Sequence, residues 1–220
     1  MKNTQLFQNL PFLKVIAGIE NFDAGNIREV AIAANGIAAA IDVSVDEASV
    51  RWIKAHTDLQ VFVSSLDPKA LAESLDWGTD WVELGNFQPI YDRGAVINPD
   101  MVMTWTRELV SLVKDSARIC VTLPGILDLK AQIQLAQDLE LLGVDLLQIE
   151  NITGDTSHVA PIQAAVNIPV MLSGKLHLNN LAEAVETGAE GFGVGAAIRK
   201  ADDMAAYVTA LQNQLQAVRV

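Results

Sequence analysis

The chain has 220 residues, half of them hydrophobic, and a formal net charge of −12 at pH 7. This length suits one soluble domain with a full core, and the lack of an apolar run of about eighteen residues argues against a membrane span. The negative charge argues against a nucleic-acid partner, because such a surface needs clustered Lys and Arg. Cys120 is the single cysteine and residues 1–10 contain no secretory pattern, so a reducing, cytoplasmic compartment without disulfides is predicted.

Predicted strands and helices alternate along the chain without a linker. The apolar runs that predict strands cover residues 14–19, 37–43, 61–64, 81–84, 118–123, 145–149, 170–173 and 192–194. The segments that predict helices cover residues 25–35, a stretch beginning at Ser44, a stretch beginning at Asp67, and residues 98–115, 128–142, 154–165, 179–187 and 201–215. Eight such units predict a single α/β domain over residues 1–220, a (β/α)8 TIM barrel with eight parallel strands. The rival fold is a doubly wound sheet, which normally stops at about five or six strands.

Two segments depart from this regular alternation. Residues 3–10 predict a short amphipathic helix that plugs the floor of the barrel. Residues 85–98, which include Asn86, form the one long loop and follow the fourth strand. Loops of this length in a compact domain are usually functional lids or disordered, so we expect this loop to lie at the mouth of the barrel.

Two glycine turns near the end of the chain indicate an anion site. Ser173-Gly174-Lys175 follows the seventh strand, and Gly195-Ala196 follows the eighth. Glycine turns let backbone N–H groups approach an anion, and the loops after strands seven and eight form a recurring phosphate site in TIM barrels. The alternative is that Gly174 and Gly195 only turn the chain, and that Lys175 is a solvated surface cation.

Alternation along the strands predicts a polar set of side chains inside the barrel. Because successive side chains point to opposite faces of a strand, fixing the apolar residues toward the helices sends their neighbours inward. The inward polar residues are Lys14, Asp42, Glu83, Thr122, Gln148, Glu150 and Ser173. Buried charges are costly unless they are paired or used, so this set favours a functional site over a bare scaffold.

The candidate catalytic residues are Lys14, Asp42, Glu83 and Glu150. Lys14 is either an imine-forming amine whose pKa is lowered by burial or the counter-ion of the carboxylates. Glu83 and Glu150 are either a general acid and base or satisfied members of a polar layer. The remaining strand exits add candidate ligand contacts at Asn21, Ser64, Asn86, Thr122 and Gln148. No grouping of His, Asp and Glu has the spacing of a metal site.

The stretch from residue 169 to residue 200 resembles the phosphate-binding barrels, which are sugar-phosphate isomerases, lyases and flavin-binding oxidases. The resemblance lies in Ser173-Gly174, Gly188-Ala189 and Gly195-Ala196-Ala197. Lys175 stands where these proteins usually have a second glycine, and Ala196 stands where a hydroxyl often helps. The resemblance implies a phosphate held by backbone donors.

Most of the chain is also similar to a family known as a hypothetical chloroplast reading frame of cyanobacteria and algal plastids. The blocks that carry this resemblance are KVIAGIENFD at residues 14–23, VFVSSLDPKAL at 61–71 and VELGNFQPIYDRG at 82–94. The resemblance implies an aldolase-type barrel and, for a plastid homologue, a location in the stroma.

Three functions follow as hypotheses from this sequence. The first is an isomerase or lyase that acts on a small phosphorylated metabolite by acid–base chemistry. The second is a protein that binds the phosphate of flavin mononucleotide, and the third is a ligand sensor or scaffold without catalysis. A homodimer is an open alternative to a monomer, since the four Trp residues fit either an association surface or the core.

Overall fold

Eight parallel strands close into one barrel in the order of the chain, from β1 to β8. The computed structural model describes residues 5–85 and 87–217. The strands are β1 Phe12–Gly18, β2 Ala40–Ser44, β3 Gln60–Ser65, β4 Trp81–Leu84, β5 Arg118–Leu123, β6 Leu146–Glu150, β7 Val170–Ser173 and β8 Gly191–Val194. The predicted (β/α)8 barrel is therefore confirmed.

Helices follow the strands and cover the outside of the barrel. They are α1 Ala24–Ala34, α2 Glu47–His56, α3 Pro68–Glu73, α4 Gln88–Tyr91, α5 Pro99–Val113, α6 Leu129–Leu141, α7 Val159–Gln163, α8 Leu181–Val185, α9 Ala196–Arg199 and α10 Met204–Ala217. An Asp or Asn side chain accepts from first-turn N–H groups at the start of α1, α2, α3, α5 and α6, which stabilises those starts. Over the described ranges, no helix has the length and apolarity needed to cross a bilayer.

Several predicted boundaries were wrong for local reasons. Ser44 ends β2 instead of starting a helix, because its hydroxyl donates to the carbonyls of Gly18 and Asn21. The second strand starts at Ala40 and not at residue 37, since the N–H groups of Ile37 and Ala38 still donate to a carbonyl at the end of α1. The long loop after β4 contains the short helix α4.

The helix predicted at residues 154–165 is limited to Val159–Gln163. The segment before it is held in side-chain turns, in which the N–H of Gly154 donates to Asn151 and the N–H of Ser157 donates to Asp155. Similarly, the helix predicted at residues 179–187 is limited to Leu181–Val185.

The inside of the barrel begins with an apolar floor. Its buried members are Leu6, Phe12, Ala40, Phe62, Trp81, Cys120, Leu146 and Met171. Leu6 belongs to the 3₁₀-helix Gln5–Gln8, whose Phe7 meets the rings of Phe12 and Trp81 edge-on at 6.0 and 5.9 Å. Of the helix predicted at residues 3–10, residues 5–8 are helical and plug the floor, whereas residues 3 and 4 lie outside the described residues.

The inward-facing side of β8 carries only glycines. A Cβ at Gly191 would lie 2.2 Å from the Phe12 ring, and one at Gly193 would lie 2.8 Å from the hydroxyl of Ser173. A Cβ at Gly195 would lie 2.9 Å from the carbonyl oxygen of Ile16. The strand thus leaves its share of the interior to side chains from its neighbours.

Replacing Leu6 by Ala tests the plug. Leu6 is 1% exposed in the barrel floor, so Leu6→Ala is expected to lower the free energy of unfolding by about 2–5 kcal/mol. The matched control is Leu141→Ala, because Leu141 is 85% exposed on α6 and should change it by no more than about 0.5 kcal/mol. Urea unfolding measures both; equal effects would contradict the plug.

Candidate functional site

A layer of polar side chains lies above the apolar floor. Lys14, Asp42 and Glu83, on β1, β2 and β4, are all buried. The Lys14 ammonium forms an ion pair with Oε2 of Glu83 and lies 3.9 Å from Oδ2 of Asp42. The closed barrel therefore brings together three of the four predicted catalytic residues.

Hydrogen bonds extend this ion pair around the interior. The amide of Gln148 donates to Oε1 of Glu83 at 2.8 Å and to the hydroxyl of Thr122 at 3.0 Å. On the other side, the Ser64 hydroxyl donates to Asp42. The resulting polar network joins β1 to β6 through Ser64, Asp42, Lys14, Glu83, Gln148 and Thr122.

Lys14 is held as an ammonium ion. Its complete burial favours the neutral amine, but the nearby charges of Glu83 and Asp42 outweigh burial and raise the pKa of Lys14. Of the two alternatives for Lys14, the geometry agrees with the counter-ion and disagrees with an amine whose pKa is lowered by burial. Beneath the pair, burial and then Glu83 raise the pKa of Cys120 well above its ordinary value, so this thiol is neutral.

Glu150 lies higher in the barrel, at the end of β6, and its carboxylate binds donors from two loops. Its Oε2 accepts from the Tyr91 hydroxyl at 2.9 Å and from the N–H of Gly125 at 3.0 Å. Burial raises the pKa of Glu150, although backbone N–H groups of Gly125, Gln88 and Phe87 and the Tyr91 hydroxyl all favour its charged form. Most of these donors belong to the loop after β4, so Glu150 anchors that loop.

Residues 87–98, here called the lid, cross the mouth of the barrel. Phe87 is fully buried, Tyr91 reaches Glu150 on β6, and Arg93 forms an ion pair with Glu20 after β1. The lid is therefore fastened at two separate places on the rim of the mouth. The sequence predicted the loop but not these fastening contacts, which join residues distant in the chain.

A cavity of about 260 Å³ opens between the lid and the ends of β1, β2 and β3. Its lining includes Glu20, Phe22, Ser64, Ser65, Ile90 and Arg93. Because the Ser64 hydroxyl also donates to Asp42, this cavity touches the polar network at one end.

Two further predicted contacts have different outcomes. Asn21 donates through Nδ2 to the carbonyl of Ala17 and to the side chain of Asn26, so its amide fixes the loop between β1 and α1. Asn86 lies outside the described residues.

The predicted phosphate turns are tightly packed and keep free donors. A Cβ at Gly174 would lie 2.4 Å from the carbonyl oxygen of Asn151, and Lys175 has a φ of 53° where a second glycine was expected. Within residues 5–85 and 87–217, the N–H groups of Gly174, Lys175 and Ala196 donate to no backbone carbonyl. Packing alone explains the glycines, and the phosphate site at Ser173, Gly174, Lys175, Gly195 and Ala196 stays a prediction.

Sequence reasoning missed two residues at the mouth. Tyr91 contacts Glu150 from the lid, and Arg199 of α9 donates through Nη1 to the carbonyl of Ile16 at 2.6 Å. An arginine one turn after Gly195 was a visible signal, whereas the pairing of Tyr91 with Glu150 depends on the closed lid. His158 binds the side chain of Gln132 through Nδ1. The described part of the chain contains no group of three potential metal ligands.

Comparisons with known proteins relate the chain to one family and to one fold. The family described as "Protein of unknown function (DUF561)" matches residues 1–164. The uncharacterized protein ycf23 of Antithamnion sp. is 34% identical over 89% of this chain and 81% of that protein. Its counterpart in Cyanophora paradoxa is 30% identical over 86% and 84%.

Solved structures share the barrel at low sequence identity. 3-Hexulose-6-phosphate synthase from Salmonella typhimurium has a TM-score of 0.73 at 14% identity, covering 94% of this chain and 99% of that chain. KGPDC from Streptococcus mutans has a TM-score of 0.72 at 14% identity, covering 96% and 100%. Thiamine phosphate pyrophosphorylase from Pyrococcus furiosus has a TM-score of 0.68 at 18% identity, covering 94% and 96%. These likenesses support the fold alone.

Removing the buried ammonium should be costly. Lys14→Met leaves Asp42 and Glu83 without it, so we expect a loss of about 3–5 kcal/mol of unfolding free energy. The double variant Lys14→Met/Glu83→Gln should lose less, because it also removes one carboxylate charge. Urea unfolding of the single and double variants measures the coupling.

The matched control is Lys54→Met. Lys54 pairs with Asp80 at 2.7 Å, but its side chain is 34% exposed. Lys54→Met should therefore lower the free energy of unfolding by no more than about 1 kcal/mol. If Lys14→Met cost no more than Lys54→Met, the interior ion pair would be refuted.

The raised pKa of Glu150 predicts a pH dependence of stability. The folded state binds this proton more tightly than the unfolded state, whose carboxyl has the ordinary pKa of 4.5. The contribution of Glu150 protonation to the free energy of unfolding is therefore fully present below pH 4.5. It is lost as the pH rises through the pKa that Glu150 has in the folded state. The free energy of unfolding of the wild type minus that of Glu150→Gln should fall with rising pH, as measured by urea unfolding at several pH values.

Tyr91→Phe provides the second arm of this test. The Tyr91 hydroxyl lowers the pKa of Glu150. In the Tyr91→Phe background, the free-energy difference caused by Glu150→Gln should therefore fall at a higher pH than it does in the wild type. A difference between wild type and Glu150→Gln that rises with pH would contradict the burial of Glu150 as described.

Proposed function

The chain belongs to the family described as "Protein of unknown function (DUF561)", and for this member we propose an isomerase or lyase that acts on a small phosphorylated metabolite. The substrate binds at the mouth of the barrel, under the lid. Its phosphate lies at the glycine turns after β7 and β8, and acid–base chemistry takes place at the polar network.

The observation that carries this proposal is the charged interior of the barrel. Lys14, Asp42 and Glu83 are fully or almost fully buried at positions where barrels usually pack bulky aliphatic side chains. Replacing a buried ion pair by well-packed apolar residues is often neutral or stabilising. Stability alone therefore gives little reason for these three charges, whereas a reaction that moves protons needs them.

The arrangement supports proton transfer next to a carbonyl group. Glu83 is the base that removes a proton from the carbon beside the carbonyl. The Lys14 ammonium, already in contact with Glu83, stabilises the negative charge that develops on the enolate oxygen. For an isomerase, protonated Glu83 returns the proton to the former carbonyl carbon, and the hydroxyl proton of the neighbouring carbon moves to the former carbonyl oxygen. For a lyase, Glu83 instead takes the proton of the hydroxyl one carbon further along; the bond between that carbon and the carbon beside the carbonyl breaks, a second carbonyl forms, and the proton returns to the carbon of the enolate.

The interior also contains a hydrogen-bond acceptor that a substrate could use. Among the described residues, Oε1 of Gln148 is buried and has no donor, which costs about 1–3 kcal/mol in a protein interior. The amide nitrogen of the same side chain is already used on Glu83 and Thr122. A hydroxyl group of the substrate would satisfy this oxygen, so the proposed substrate is hydroxylated.

Two observations support a phosphate on the substrate. The N–H groups of Gly174, Lys175 and Ala196 have no backbone acceptor in the described ranges, which fits the recurring phosphate site of this fold. In addition, 3-hexulose-6-phosphate synthase and thiamine phosphate pyrophosphorylase are named for phosphorylated compounds. The lid supports the same proposal, because a closed mouth excludes water from an anionic intermediate.

The proposed enzyme works in the cytoplasm, or in the stroma for a plastid homologue. Its assembly into a homodimer stays a prediction. Flavin mononucleotide is the alternative ligand for the same turns, and a sensor or scaffold is the non-catalytic alternative. One binding experiment, followed by an assay of turnover, separates the enzyme, the flavin protein and the sensor or scaffold.

That experiment is thermal unfolding with a panel of phosphorylated sugars, their unphosphorylated forms, inorganic phosphate and flavin mononucleotide. A ligand at 100 times its dissociation constant stabilises by about 2.7 kcal/mol, which is about 5–10 °C for a domain of this size. Ala196→Glu should abolish the shift by placing a carboxylate at the exposed turn. Ala206→Glu is the matched control, since Ala206 is exposed on α10.

The outcomes differ for each hypothesis. A shift confined to phosphorylated sugars, lost in Ala196→Glu and kept in Ala206→Glu, is the expected result. Glu83→Gln should then retain binding and lose turnover by about 10²–10⁴-fold. Binding without turnover in the wild type would favour a sensor, a shift with flavin mononucleotide alone would favour the flavin protein, and no shift with any compound would refute the proposal.

A further inference from the structure

Arg199 occupies space beside two glycines at the rim of the barrel, Gly195 just after β8 and Gly18 at the end of β1. A Cβ at Gly195, the third glycine in the inward row, would lie 3.1 Å from Nη1 of Arg199. A Cβ at Gly18, at the end of β1, would lie 3.7 Å from the same atom. The guanidinium therefore lies at the rim of the mouth between the ends of β8 and β1.

One hydrogen bond fixes this position. Nη1 of Arg199 donates to the carbonyl of Ile16 at 2.6 Å. Ile16 follows Lys14 by two residues on β1, a rise of about 7 Å along a strand. The guanidinium and the ion pair of Lys14 with Glu83 are thus placed along the same strand, one at the rim and the other in the interior.

Arg199 has no carboxylate partner in the part of the chain that the structure describes. Arg51, Arg93 and Arg118 each lie within 4 Å of a carboxylate oxygen, and Arg199 does not. The chain has 27 acidic against 15 basic residues, so a half-buried guanidinium without an acidic neighbour is unusual here. Burial lowers the pKa of Arg199, but an arginine stays charged in proteins.

We propose that Arg199 is the cationic ligand of the substrate's phosphate monoester, which it contacts from the β1 side of the glycine turns after β7 and β8. This inference rests on the proposed function and deepens it. With Nη1 engaged by Ile16, the remaining N–H groups of the guanidinium are the donors that bind two phosphate oxygens together. The free N–H of Ala196, three residues earlier, adds a backbone donor on the same side of the mouth.

The position of Arg199 also restricts the substrate. A phosphate at the rim and a reacting carbon at Lys14 are separated by little more than two residues of β1. This favours a short carbon skeleton that carries a terminal phosphate and a carbonyl, over a large molecule such as a phosphorylated cofactor. The side-chain ammonium of Lys175, on the far side of β8 from β1, is not required for binding.

Titration calorimetry with inorganic phosphate at constant ionic strength tests the inference. The variants are Arg199→Gln, which removes the charge and leaves a shorter polar side chain, and Arg199→Lys, which keeps the charge but loses the planar fork. The matched control is Lys200→Gln, because Lys200 is the exposed neighbour of Arg199 and its replacement changes the net charge equally. Urea unfolding shows whether each variant is folded.

The expected result is a dissociation constant raised by about ten- to a hundredfold in Arg199→Gln, since hydrogen bonds between charged groups are the strong ones. Arg199→Lys should lie between this variant and the wild type, and Lys200→Gln should match the wild type. If Arg199→Gln does not fold, Arg199→Lys alone decides, because loss of the fork should still weaken phosphate binding.

Other outcomes separate this inference from the proposed function. Phosphate binding that is equal in wild type and both Arg199 variants would overturn the role of Arg199 and leave the proposed function standing. Failure of the wild type to bind phosphate or any phosphorylated sugar would overturn both. Tighter binding of malonate than of phosphate, lost in Arg199→Gln, would assign Arg199 to a carboxylate and refute the phosphate assignment.

Discussion

The ion pair between Lys14 and Glu83 is the interaction on which the interior of this barrel depends. Both side chains are completely buried, and neither is stable there alone, because an unpaired buried charge is far more costly than a pair. Each partner also holds a neighbour, Asp42 on one side and Gln148 on the other. The polar layer is consequently one connected unit above an apolar floor, and its chemistry is that of a charged ammonium beside a carboxylate.

The mouth of the barrel is arranged around access to that unit. The lid is anchored to Glu150 through Tyr91 and the start of α4, and to Glu20 through Arg93. Under it, a cavity reaches the hydroxyl of Ser64, which is bonded to Asp42. Glu150, which the sequence offered as a candidate acid or base, thus holds the lid over Lys14, Asp42 and Glu83.

Much of the fold and part of the site were predictable for a simple reason. Alternation along a strand fixes which side chains face inward, and this rule correctly buried Lys14, Asp42 and Glu83 together. The rule gives the direction in which a side chain points, but neither its height along the barrel axis nor the group it bonds to. It therefore grouped Glu150 with Glu83, although Glu150 lies above the layer and binds lid donors. It also left two alternatives open for Lys14, because burial lowers the pKa of a lysine while nearby carboxylates raise it, and only the distances in the folded chain decide which effect is larger.

The sequence by itself determined the closed barrel, the floor plug, the starts of the helices capped by Asp23, Asp67, Asn98 and Asp128, and the inward polar set. These features follow from local periodicity and from side chains that bond within a few residues. Only the tertiary structure decided that Lys14 is a counter-ion, that Glu150 fastens the lid, and that Arg199 fills the space above Gly195. Those contacts join residues from 59 to 183 positions apart, and closing the barrel is what makes them neighbours.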